Sequence, residues 1–339
     1  MTALRKPISL VLGAGNFSTD PSRIKDQREM VDLARKNNIK TFDTSRYYSH
    51  GQSETFLGNE GISSEFEIIT KASGGKVPGG LSKEGVLKGW AESQAALKVE
   101  RVGTYLIHVP DADTSIADTM EGIQELHLAG KFDKARQFLL TFFGLSNFSP
   151  QQVEECYDYA KSKGYILPTC YQSIYGLVSR KNEKDLFPLL RRLGISIQAY
   201  SPLASGFLVK TPEDVRAGVG NFDPSTVLGK ILQDMYATDS LLDYLQKFGE
   251  LAEEIGSSKV GLACRWVVWN SALREDLGDC MVSGASRAKQ LQDVLDEIEK
   301  GPLEDSVVER LEKMWKDIEA DAPGDNFSTF RRLQKAGVL

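Results

Sequence analysis

Four side chains, spread over the first third of the chain, have the types needed to place a proton on a carbonyl oxygen. The stretch IKTFDTSRYYSHGQSE (39–54) ends an apolar run in Asp43 and sets two tyrosines, Tyr47 and Tyr48, within five residues of it. Lys71 follows the run FEIIT (66–70), and His108 lies at the end of TYLIHV (104–109). A tyrosine hydroxyl has a reference pKa of about 10, too high for an efficient acid near neutral pH. A neighbouring ammonium favours the phenolate and lowers that value, and a lysine drawn into a pocket needs a carboxylate to stay charged. Asp43, Lys71 and one of the two tyrosines supply that order of carboxylate, ammonium and phenol. His108 would hold a carbonyl oxygen close to the phenol. The set suits protonation of an alkoxide as hydride reaches a carbonyl carbon. Taken singly, each residue has an ordinary explanation: a turn-forming aspartate, a solvated lysine, a structural histidine.

Their convergence depends on the elements that carry them. Short apolar or β-branched runs alternate with longer segments of helical period. The expected strands are 8–13, 40–44, 66–70, 104–109, 142–146, 167–172, 195–200 and 280–284. Helical patterns fall at 23–37 and 82–98, and Ser149-Pro150 reads as a cap and first position for a helix ending at Gly164. The apolar stretch 258–270 reads as buried. Eight strands, each followed by helical sequence, predict an α/β fold closed as a (β/α)8 TIM barrel, a single domain over 1–339. Barrel sites lie at the C-terminal ends of the strands. Asp43, Lys71, His108, Ser146-Asn147, Gln172, Tyr200 and Ser283-Gly284 end seven consecutive runs there. The segment 205–240, poor in strand signal, reads as a long loop after strand seven with at most a short helix.

Composition narrows the partners. The chain has 339 residues, 41% hydrophobic and 26% charged with a formal net charge of −6, an ordinary globular make-up without the basic run that nucleic acid would demand. No stretch has the length of a membrane span, and the N-terminal apolar run is too short for a signal peptide. Cys156, Cys170, Cys264 and Cys280 lack metal-ligand spacing, and with three histidines no metal site stands out. The expectation is a reduced, cytoplasmic protein with no metal.

The motifs DTSRYYSHGQSE, IITKAS, YLIHVPD, FGLSNF, PTCYQSIY and AYSPLASG, in this order along nearly the whole chain, resemble the aldo-keto reductases. The details GQSETFLG, ILPTCYQSIYGLVSR and EKGPLED are most similar to the aflatoxin-aldehyde (succinic semialdehyde) reductase subgroup. The resemblance implies that Tyr48, five residues after Asp43, is the proton donor rather than Tyr47. It implies NADPH/NADP+ as cofactor and reduction of a small aldehyde or ketone to an alcohol by hydride transfer from nicotinamide C4. In this scheme Lys71 lowers the tyrosine pKa with Asp43 behind it, and His108 orients the carbonyl. Ser146, Asn147 and Gln172 would hold the nicotinamide carboxamide and Tyr200 stack on its ring. Ser201, Leu203, Ser205, Gly206 and Lys210 would line the pyrophosphate. Within 282–293, Ser283, Gly284, Ser286, Arg287, Gln290 and Asp293 would receive the adenosine 2′-phosphate end, with anion-binding amides at a helix N-terminus and a fixed charge on Arg287. Subgroup relatives form dimers, which makes a homodimer the assembly to expect. The C-terminal segment 320–339 would close near the pocket.

Departures accompany the likeness. Val294 stands where relatives carry an asparagine that contacts adenine. The segment DKARQFLLTF (133–142) intervenes between Gly130-Lys131-Phe132 and the fifth strand. His50 reads as an exposed loop residue and His127 as structural. LGAGNFS (12–18) imitates a dinucleotide-binding turn but lacks its third glycine. The alternative to an enzyme is a reductase-like regulatory subunit that binds nucleotide with little turnover.

Overall fold

A computed structural model describes residues 6–132 and 143–339. The insert expected at 133–142 lies outside the described residues. Eight strands close into a parallel barrel in chain order: β1 Ser9–Gly13, β2 Thr41–Asp43, β3 Glu67–Ala72, β4 Thr104–Ile107, β5 Phe143–Ser146, β6 Cys170–Ile174, β7 Ser196–Tyr200 and β8 Cys280–Gly284. The ends of each lie within three residues of those of an expected run. β1 closes on β8, with Leu12 opposite Ser283 and Gly13 opposite Gly284.

The site follows from the period of two along these strands. Val11, Ile69, Leu106, Cys170, Cys280 and Val282 form an apolar cluster of their own inside the barrel, with Tyr200 packed against it. Two residues beyond Ile69, Leu106 and Cys170 stand Lys71, His108 and Gln172. The pleat therefore lifts polar side chains onto the same inner wall, one layer above an apolar floor. Residues facing the other way, such as Leu12, Phe42, Tyr105 and Ile197, join the large cluster between strands and helices.

The helices start where local chemistry tells them to. Asp20 caps Pro21–Lys36, and Ser149 caps Pro150–Lys163 in a reciprocal box with Gln152 that ends at left-handed Gly164. The 258–270 stretch begins as the α-helix Lys259–Arg265 and widens to a π turn at Trp266–Asn270. The 205–240 segment corrects the long-loop expectation. It holds helical turns at Ala204–Val209, Pro212–Arg216 and Gly220–Phe222 and the ten-residue helix Val227–Tyr236. Thr211 and Thr226 cap two of these, signals outweighed in the sequence by the Gly and Pro around them. Phe207, Phe222 and Tyr236 pack there with Phe207 5.1 Å from Tyr236 and 6.2 Å from Phe222, so Phe222 belongs to the core. All four cysteines are free and buried. Among the described residues no helix is long and apolar enough to cross a membrane, and no group of His, Cys, Asp and Glu could hold a metal.

Gly144 on β5 shows how tightly the interior is filled. A Cβ there would sit 2.4 Å from Cys170 Sγ, 2.5 Å from Leu106 Cδ2 and 2.6 Å from the Cys170 carbonyl oxygen. Gly144→Ala is predicted to destabilise the barrel by about 1–3 kcal/mol, read as a lower urea midpoint. An unchanged midpoint would show that β5 and β6 can separate freely.

Candidate active site

Lys71 is the centre of the site. Its side chain is 0% exposed, and its Nζ donates to Asp43 Oδ1 at 2.7 Å, Asp43 Oδ2 at 2.8 Å and the Thr44 carbonyl at 2.8 Å. Burial opposes the ammonium, but the charge of Asp43 and the Tyr48 oxygen, together with the hydrogen bonds to both, more than offset it and hold its pKa above the usual value. Asp43 Oδ1 also accepts from Gln172 Nε2 at 2.8 Å, and that nitrogen reaches Gln198 Oε1 at 3.1 Å. Strands β2, β3, β6 and β7 thus meet in one polar cluster.

Lys71 Nζ lies 4.8 Å from the Tyr48 ring centroid. The loop that brings Tyr48 there is pinned from below. Glu54, fully buried, accepts from Thr70 Oγ1 at 2.6 Å and from Arg46 Nη1 at 3.0 Å. Ser53 Oγ donates to the Ala14 carbonyl at 2.7 Å and lies 2.7 Å from Thr44 Oγ1. Ser49, His50 and Gly51 follow in left-handed conformation, with φ of 47°, 54° and 84°. The acidic residue that ends the DTSRYYSHGQSE motif is therefore scaffolding for the turn. The LGAGNFS stretch also serves here: Ala14 N–H donates to the Asp43 carbonyl at 2.8 Å.

Lys71 pulls the Tyr48 pKa down as expected, but the net direction is upward. Burial raises it, and Lys71 offsets that only in part. The phenol therefore stays protonated at neutral pH, with an ammonium beside it to stabilise the phenolate once the proton leaves. His108 is buried, and its imidazole is held well below the usual histidine range by burial and by the charges of Lys76 and Lys71. Its ring stands edge-on to Tyr48 at 5.5 Å between centroids. Ser45 Oγ lies 3.1 Å from Nδ1 and Lys76 Nζ 3.1 Å from Nε2.

Ser146, Asn147 and Tyr200 share the rim. Asn147, at φ 62°, donates from Nδ2 to the His108 carbonyl at 2.9 Å and to Ser146 Oγ at 3.0 Å. The Tyr200 hydroxyl lies 3.0 Å from Asn147 Oδ1 and 2.9 Å from Asn326 Oδ1. Asn326 opens the helix Asn326–Lys335, which brings the C-terminal segment to the mouth of the barrel. An Asp-Lys-Tyr-His tetrad on β2, β3, the β2 loop and β4, with an amide-bearing rim, is now complete in three dimensions.

Residues 9–316 match the model of the aldo/keto reductase family. The chain belongs to the aldo/keto reductase family. It is 40% identical to oxidoreductase sirO of Leptosphaeria maculans over 323 residues, covering 93% of this chain and 95% of that one. It is 33% identical to an aldo-keto reductase of Pseudocercospora fijiensis over 302 residues, 86% and 98% of the two chains. Human aflatoxin B1 aldehyde reductase member 2 is 32% identical over 300 residues, 83% and 79% of the two.

Members of the aldo/keto reductase family work with a nicotinamide cofactor, and the flanks of this barrel have the donors to hold one. At the start of the helix Ala288–Glu299, the N–H groups of Ser286 and Arg287 and the Ser286 hydroxyl converge on Gln290 Oε1, at 3.0, 3.2 and 2.9 Å. Donors gathered on one oxygen at a helix N-terminus are suited to a phosphate. Arg23, missed in the sequence, reaches across to the Ser286 carbonyl at 3.1 Å and brings its guanidinium to the same turn. Asp26 takes the next N–H, of Ala288, at 3.0 Å. Asp293 is paired with Lys289 at the surface, and Val294 is buried in the core, unable to replace an adenine-contacting amide. On the other flank Ser201, Ala204, Ser205 and Gly206 have φ of 57°, 51°, 56° and 93°, and such backbone readily forms anion-binding concavities. Leu203 packs on the core, while Lys210 ends this turn with its Nζ 6.0 Å from the Phe222 ring centroid. Gln198, Lys76, Ser45 and Asn326 also escaped the sequence reading, because their partners lie on other strands and loops.

Removing one member of a buried ion pair strands the other. Asp43→Asn is predicted to lower stability by about 3–5 kcal/mol at neutral pH, read by urea denaturation. Asp43→Asn/Lys71→Met should recover part of that loss. Equal stability of the single variant and the parent would mean that Lys71 needs no counter-charge.

Proposed function

We propose that the protein reduces aldehydes or ketones to alcohols with NADPH, and that Tyr48 is the proton donor. The observation that carries this reading is the Lys71 ammonium, fixed by both oxygens of Asp43 and set beside the Tyr48 ring. When bound, the cofactor supplies the hydride. The chain's own groups supply the rest. Tyr48 gives its proton to the carbonyl oxygen as charge develops there, and Lys71 stabilises the phenolate that remains. Asp43 keeps that ammonium charged in a buried place. His108 stands over the same oxygen position. Solvent then returns the proton to Tyr48.

Ser146, Asn147 and Gln172 offer amide and hydroxyl groups to a carboxamide, and Tyr200 offers a ring face. Ser201, Leu203, Ser205, Gly206 and Lys210 would hold the pyrophosphate. Ser283, Gly284, Ser286, Arg287 and Gln290, with Arg23 as an addition, would hold the adenosine end. Several relatives are aldehyde reductases by name, which favours an aldehyde as the substrate.

Loss of the phenol should remove chemistry and spare binding. Tyr48→Phe is predicted to lose about 100- to 10,000-fold in kcat while still quenching on titration with NADPH; near-normal turnover would remove Tyr48 from the role. Tyr47→Phe should keep the activity. A second measurement addresses the cofactor. Arg287→Ala should raise KM for NADPH by roughly tenfold with little effect on NADH, whereas equal effects on both would place no 2′-phosphate at Arg287.

A further inference from the structure

Ser45 ties together the two groups that the scheme above aims at one oxygen. It is fully buried on the β2 loop, ahead of Tyr48. Its carbonyl accepts the Tyr48 N–H at 3.0 Å, and its Oγ lies 3.1 Å from Nδ1 of His108, at the end of β4. The residue before it, Thr44, is committed to Lys71 through its carbonyl. One short turn therefore meets the ammonium with one residue, and both the acid and the imidazole with the next.

Hydrogen accounting gives the direction of the contact with His108. Burial and the charges of Lys76 and Lys71 hold the imidazole well below the usual histidine range, so it is neutral. One ring nitrogen then carries a hydrogen and the other a lone pair. Ser45 Oγ already accepts from the Tyr47 N–H at 3.1 Å, and among the described residues its hydroxyl has no further partner besides His108 Nδ1. With the ring hydrogen on Nδ1, the hydroxyl hydrogen would be left without an acceptor in a buried place, which is costly. The hydroxyl therefore donates to Nδ1, and the ring hydrogen sits on Nε2, the nitrogen that can serve a carbonyl.

The other neighbour of the ring fits this state. Lys76 Nζ lies 3.1 Å from Nε2, and burial and Lys71 lower its pKa to about 7. Above that pH it is an amine whose lone pair receives the Nε2 hydrogen until a substrate oxygen takes its place.

We propose that Ser45 is a positioning residue for the reduction: its hydroxyl donates to His108 Nδ1, keeps the ring hydrogen on Nε2, and fixes that hydrogen and the Tyr48 phenol toward one carbonyl oxygen. For the carbonyl this rests on the reductase reading; the hydrogen bond stands apart from it.

The test has two arms, both at pH 8. Long-range 1H–15N spectra of 15N-histidine-labelled protein report the tautomer of each of the three rings and whether its bare nitrogen accepts a hydrogen bond, with His108→Gln assigning the signal. The parent should show Nε2–H, with Nδ1 as a hydrogen-bond acceptor. Ser45→Ala should move the Nδ1 signal to that of a nitrogen without a donor, and Ser45→Thr, which keeps the hydroxyl, should leave it near the parent position. Nδ1–H in the parent, or an Nδ1 signal that Ser45→Ala does not move, overturns the proposal. In the second arm, Ser45→Ala should lower kcat for 4-nitrobenzaldehyde at saturating NADPH by roughly 3- to 10-fold, with the KM for NADPH unchanged. A kcat equal to the parent's overturns the positioning role. Absence of any turnover in the parent would defeat the reductase reading and leave the spectra to decide the hydrogen bond.

Discussion

An ammonium with no exposure to solvent is the constraint around which the barrel is arranged. Taking a lysine out of water costs several kcal/mol after relaxation, and only close, well-aligned partners return it. Lys71 has three such contacts, two to the Asp43 carboxylate and one to the Thr44 carbonyl. The carboxylate is steadied in turn by Gln172 from across the barrel. These partners come from β2, β3 and β6, and they meet only if the strands are in register. A slip by one residue would turn Lys71 out of the barrel and place Thr70 or Ala72 inside.

The same ion pair dictates where the phenol must stand, and a second buried charge delivers it. Glu54 holds Arg46 and Thr70 beneath the β2 loop, so that Tyr48 faces Lys71 while Tyr47 turns outward, 51% exposed. Two neighbouring residues of one type receive opposite environments from one turn. Burial raises the Tyr48 pKa, and the fixed ammonium beside it favours the phenolate. In the proposed reaction the pair would act as a preorganised site whose charge does not have to be assembled.

The rim divides its work by side. The β7 and β8 ends present left-handed backbone and helix-terminal N–H groups, suited to the phosphates of a long nucleotide. The β2, β3 and β4 ends present the acid, its ammonium and a histidine between Ser45 and Lys76. Lys71 is paired with a carboxylate, and among the described residues no carboxylate pairs with Lys76. Asp43 holds the Lys71 pKa up, whereas burial and Lys71 bring that of Lys76 down to about 7.

The barrel was legible in the chain because it follows from local rules, whereas the choice of Tyr48 over Tyr47 came only from the family resemblance. Alternating runs mark strands and helices, the period of two puts Ile69 and Lys71, Leu106 and His108, Cys170 and Gln172 on common inner faces, and each polar residue ends its run. The capped helices between 205 and 240 were misjudged, since Thr211 and Thr226 were outweighed by the glycines and prolines around them. Tertiary structure alone decided what depends on distance across the barrel. The sign of the Tyr48 shift came from burial, which no spacing records. Arg23 reaches Ser286 and Asn326 reaches Tyr200 over long stretches of sequence. Lys76 has no signal in the sequence and only the fold sets it on His108, because a single sequence states which groups exist and only packing states which of them meet.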